Sequence, residues 1–149
     1  MPAFITFGRV LFAVLFIYTG ATKLFAIQAT ADMISSKVAI TEALAPYTAQ
    51  LEALAGMPTA QVLAIAAGAF EVIAGLMIAL NFGSRFFALL LIIFIGLVTF
   101  YFHDFWNQTG PEARGNLVHA LKNLSLIGAL FMIAGSSRSA KVQEPAYDV

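Results

Sequence analysis

The stretch from Ala60 to Asn81 limits the fold more than any other. It is about twenty mostly apolar residues, enough at ~1.5 Å each to cross a hydrocarbon core roughly 30 Å thick, with one carboxylate, Glu71, near its middle. Ala64, Gly68, Gly75 and Ala79 fall with Glu71 at helical spacing, so they share one side of the helix. Small residues let backbones approach closely in lipid, whereas the Ile, Leu, Val and Met of the other faces suit hydrocarbon. A charge left against lipid would cost several kcal/mol or be forced to neutralise, so Glu71 is expected to point into a protein interior with a partner.

The remainder of the chain repeats the theme. The 149 residues are 60% hydrophobic and 11% charged, well outside the soluble norm, which points to an integral membrane protein. Eight basic and eight acidic residues give zero net charge, so nothing suggests a nucleic-acid partner. With no cysteine, thiol catalysis, disulfide exchange and thiolate-held clusters are excluded on this chain, and any redox chemistry needs a bound cofactor or a partner.

Four spans are expected, at about 4–25, 60–81, 85–103 and 116–134, in one all-α domain over residues 1–135, with a disordered tail at 136–149. The first is too long for the core of a cleaved leader, and Lys23 interrupts the approach to the Ala29-Thr30-Ala31 motif. Its Arg9, Ala13, Phe16, Gly20 and Lys23 form the seam of a packed helix. Residues 27–58 form a long connector between the first two spans, too polar to cross, in which Leu44, Tyr47, Leu51 and Leu54 mark a short amphipathic helix. Asn81-Phe82-Gly83-Ser84 reads as a tight turn. The order Phe7-Gly8-Arg9 to Gly20 is echoed by Phe82-Gly83-Ser84-Arg85 to Gly96, a pattern compatible with two related hairpins. An even number of spans puts both termini on one side, and the short 81–85 turn and the basic tail favour the cytoplasmic side.

Two constellations follow. By depth along the helices, Glu71 is expected to pair with Arg9, with Lys23 lying further outward; the structural alternative is that such a pair only fixes helix register. Toward the outer face Lys23, His103, His119, Lys122 and Asn123 come from three helices, with Asp104 and Trp106 at the rim. That group could form a pocket for an anionic or quinone-like head group, with imidazole or ammonium donating to its oxygens; interfacial His and Lys simply meeting water is the competing reading. No metal site is indicated, and haem held by His103 and His119 is the weaker alternative, requiring both rings on facing helices at one depth.

At these residues the chain resembles the DoxX family of small bacterial membrane proteins. Gly8-Arg9, Thr19-Gly20-Ala21-Thr22-Lys23-Leu24, Glu71 with Gly75, Gly83 with Arg85, the run Phe102 to Asn107, and Lys122-Asn123-Leu124 with Gly128 carry the resemblance over nearly the whole chain except the tail. It implies a four-helix bundle in the bacterial inner membrane, associated with quinone-linked redox or oxidative-stress systems. Partner subunits of such a complex, the lipid bilayer and a second copy of the chain are the expected partners, and quinone is the expected cofactor if there is one. Whether the chain is itself an enzyme is left open. A structural subunit docking onto a larger complex, and a small-solute carrier or proton pathway, are the other functional classes these residues allow. The long connector is the departure from the family pattern.

Overall fold

The structure, a computed structural model, describes residues 2–136; the expected disordered tail falls almost wholly outside them. Six helices follow in order: α1 (Pro2–Phe25), α2 (Ile27–Lys37), α3 (Ala45–Ala55), α4 (Thr59–Ala79), α5 (Ser84–Phe102) and α6 (Gly110–Ser136). Short 3-10 turns lie at Glu42–Leu44 and Phe105–Asn107. Four of these helices, α1, α4, α5 and α6, are long and apolar enough to cross a membrane. Their outward faces carry exposed large apolar side chains such as Val14, Ile73, Ile93, Leu124 and Phe131, a pattern suited to lipid rather than water.

α4 is the centre of the arrangement, packing against α1, α2 and α5, while α6 packs on α5. The small-residue stripe explains the closeness of α1 and α4. A Cβ added at Gly20 would lie 2.6 Å from the Gly68 carbonyl oxygen, and one at Gly75 would lie 2.8 Å from Ile17. Only hydrogen at these positions lets the two backbones meet, which locks Gly20 opposite Gly68 and Glu71 in an antiparallel register. Gly96, its counterpart in the sequence echo, has open space around it, so the two hairpins are not packed alike.

The core is lopsided. Ala13, Phe16, Ile78, Ala88, Leu91, Leu130 and Ile133 fill the end of the bundle near the chain termini. The opposite end is not closed by the spans alone, and there the connector contributes. α2 leaves α1 at Ala26, where the backbone departs from helical angles, and folds back against α4 with Ala31 buried. α3 buries none of its residues, but its Glu52 caps α4: the carboxylate accepts from both the backbone N–H and the hydroxyl of Thr59, each at 2.8 Å. These bonds hold the Glu52 carboxyl below its usual range, the Thr59 backbone bond being the larger cause. Between α4 and α5 the turn uses left-handed backbone at Asn81 and Gly83, and the Ser84 hydroxyl donates to the Asn81 side chain at 3.0 Å. The final span begins at Gly110 rather than near Asn116, so the loop before it is shorter than the sequence pattern implies.

Candidate functional site: a cavity floored by an ion pair

Glu71 points inward and is 4% exposed. Its partner is Lys23, whose Nζ lies 2.8 Å from Oε2 and 3.0 Å from Oε1, and the Thr19 hydroxyl donates to Oε2 at 2.9 Å. Three hydrogen bonds from two donors therefore hold the carboxylate, which is how a buried charge is compensated away from water. The ammonium is also 3.4 Å from the Thr19 carbonyl. The register set by the glycines decides which cation is chosen. Lys23 stands less than one turn beyond Gly20, which faces Glu71, whereas Arg9 lies eleven residues the other way, about 16 Å along the helix and beyond side-chain reach. The expected Arg9–Glu71 pair is accordingly absent. Arg9 is half-buried, and its guanidinium donates to Thr6 Oγ1 at 3.3 Å.

Above the pair opens a cavity of about 710 Å³. Lys23, Glu71 and Thr19 form its polar floor. α1 contributes Thr22, with Ala26 just past its end, α2 contributes Met33 and Ile34, α4 contributes Leu63 and Ala67, and α5 contributes Phe94, Leu97 and Tyr101, with His103 capping its C-terminal end. At ~1.5 Å per residue, the α5 wall from Phe94 to His103 runs about 13 Å. The site is thus a tall apolar slot with a charge pair at the bottom and an imidazole on its wall, roofed in part by a helix of the connector.

The outer constellation is divided rather than gathered into one pocket. Of its members, Lys23 and His103 line the cavity. His103 reaches α6 instead of solvent: its Nδ1 is 3.0 Å from Asn116 Oδ1, and its ring stacks on His119 at 4.9 Å with the planes 9° apart. Asn116 donates to Gln108 Oε1 at 2.6 Å, and Gln108 donates to Asp104 Oδ1 at 3.1 Å. Lys37 of α2 closes the line on Asp104 at 3.5 Å. Asn123 donates to Thr99 Oγ1 at 2.8 Å, joining α6 to α5 outside the cavity. Trp106 packs against Phe100 and Phe105, where it serves as an interfacial aromatic. Lys122 is exposed and has no hydrogen-bond or ion-pair partner among the described residues.

The two imidazoles meet face to face, so they do not present two ring nitrogens to a single iron, and the parallel rings leave no space for a porphyrin between them. No cluster of three or more His, Asp or Glu able to hold a metal occurs among the described residues. Sequence reasoning missed Thr19, Met33, Ile34, Leu97 and Tyr101. Only Thr19 carried a signal, being one turn from Lys23 on the packed seam.

Fold and site together define a polytopic helical membrane protein with a buried charge pair under an apolar cavity. The profile of the DoxX family matches residues 4–104, and the chain belongs to that family. It is also similar to the inner membrane protein YphA of Escherichia coli (strain K12), 33% identical over 87 residues, which are 58% of this chain and 62% of that protein. The chain thus matches about three-fifths of the length of this curated relative. No solved structure matches it significantly.

Proposed function

We propose that the protein is an inner-membrane subunit of a quinone-linked redox or oxidative-stress system, and that its cavity holds the quinone. The observation that carries this reading is the cavity itself: apolar walls suited to a ring and the start of a tail, closed at the bottom by Lys23, Thr19 and Glu71. An ammonium already holding a carboxylate can share a proton with a ligand oxygen, and its 3.4 Å contact to the Thr19 carbonyl is the weakest of its bonds to give up. Phe94, Tyr101 and Phe102 supply aromatic faces for a planar head group. The similarity to a protein named for the inner membrane supports that location, while the short 81–85 turn and the basic tail favour both termini in the cytoplasm, which would put the cavity in the outer half of the bilayer. The chain supplies the binding site, and electrons come from a partner subunit.

The test is purification in mild detergent followed by lipid extraction and mass spectrometry. Quinone enriched over bulk membrane, near one per chain, is the expected result. A preparation with no more quinone than its surrounding lipid would overturn the reading. The carrier alternative is less well supported, because Phe16, Ile78, Leu91 and Ile95 pack tightly toward the terminal end of the bundle.

A further inference from the structure

The amide chain behind His103 dictates which of its nitrogens carries the proton. A carboxylate only accepts, so the Gln108 side chain must turn its NH₂ toward Asp104 Oδ1, at 3.1 Å. That turns Gln108 Oε1 to Asn116, whose Nδ2 donates to it at 2.6 Å. The Asn116 oxygen is then what faces His103, and Nδ1, 3.0 Å away, must be the donor. A neutral imidazole protonated at Nδ1 has a bare Nε2. This atom has no hydrogen-bond partner among the described residues, and His103 lies on the cavity wall. The charged and titratable groups around the ring are His119 stacked from α6, Asp104 at the far end of the amide chain, and Lys37 from α2 paired to Asp104.

We propose that His103 Nε2 accepts a hydrogen bond from a hydroxyl of the cavity's ligand, so that the site favours the reduced, hydroxyl-bearing form of the head group over its carbonyl form. A ring carrying only carbonyl oxygens would oppose lone pair to lone pair at this nitrogen, leaving both acceptors unpaired. Asp104 is a positioning residue: acting through Gln108 and Asn116, it sets the tautomer without touching the ligand. The inference rests on the reading of the cavity as a quinone-type site, but the tautomer can be measured without any ligand.

Full-length protein carrying ¹⁵N-labelled histidine has two imidazoles to assign, and His119→Phe separates their signals while retaining a stacked ring. At pH 8 the expected spectrum shows His103 in the Nδ1–H form. Asp104→Asn, which allows position 104 to donate, is expected to shift His103 toward the Nε2–H form. An Nε2–H tautomer in the wild type overturns the proposal. In a second arm a short-chain benzoquinol and the matching benzoquinone are titrated into the same protein. The quinol is expected to bind roughly tenfold more tightly, the worth of one hydrogen bond in a dry site, and His103→Phe to abolish the difference. Equal binding of the two forms overturns the inference while leaving the cavity reading in place, and binding of neither overturns both.

Discussion

Replacing Lys23 by Met leaves the Glu71 carboxylate 4% exposed with a single hydrogen bond, that from Thr19. Removing one member of a buried pair costs about 3–5 kcal/mol, most of it the penalty of stranding the other charge. Lys23 is still 30% exposed on its side chain, so the lower end applies, about 3 kcal/mol. Glu71→Gln is milder, about 1–2 kcal/mol, because the amide still accepts from Thr19 and the unpaired ammonium can rehydrate through the cavity. In the double variant no charge is left to strand, and its cost falls to about that of Glu71→Gln alone. The cycle therefore predicts a coupling of about 3 kcal/mol between the two positions, the whole cost of Lys23→Met. Thermal unfolding in detergent, followed through Trp106, reads this as a fall of roughly 10 °C for Lys23→Met, about half of which is recovered on adding Glu71→Gln. If the two single effects sum to the double within about 0.5 kcal/mol, the pair is not coupled and the argument for a charge-pair floor fails.

Other consequences follow from the packing. Gly20→Ala drives a methyl into the Gly68 carbonyl and should cost about 1–3 kcal/mol, whereas Gly96→Ala, with open space, should be neutral or stabilise by up to about 1 kcal/mol; thermal melts distinguish the two. Ala67→Trp fills the cavity from its α4 wall and should remove the bound quinone while leaving the helical content seen by circular dichroism unchanged. Because its carboxyl is held below the usual range, the Glu52 cap contributes stability that is fully present above the unfolded carboxylate value of about 4.3 and is lost as pH falls through the lower folded value. Hydrogen-exchange protection at Thr59, corrected for intrinsic rates, should accordingly fall on acidification below about pH 4, and Glu52→Gln should weaken that dependence.

The bundle was legible in the sequence because membrane spans are written in length and hydrophobicity, and the inward turn of Glu71 because a lone charge has few places to go in lipid. The small-residue stripe likewise named the tight face of α4 correctly. The identity of the partner was not legible: depth counted from helix ends favoured Arg9, but register is set where Gly20 meets Gly68, and that contact is a tertiary fact. The cavity was harder still. Met33, Ile34, Leu97 and Tyr101 line an internal slot, yet apolar residues on a membrane helix face lipid and cavity with the same chemistry, so no periodicity separates the two. α2 was hidden for a different reason, since Ala, Gln, Thr, Ser and Asp over 28–36 look like loop until the helix has α4 to pack against. The amide chain from Asp104 to His103 joins residues from a loop and two spans, a juxtaposition created by folding alone.

A photoreactive benzoquinone analogue, activated in native membranes and mapped by peptide mass spectrometry, tests most directly whether the space above Lys23 and Glu71 is a ligand site. Labels concentrated on Met33, Ile34, Leu97 and Tyr101, and suppressed by excess unreactive quinone or by Ala67→Trp, are the predicted outcome. Labels spread over the lipid-facing surface of α6, at Leu124, Phe131 and Met132, with no competition, would contradict it.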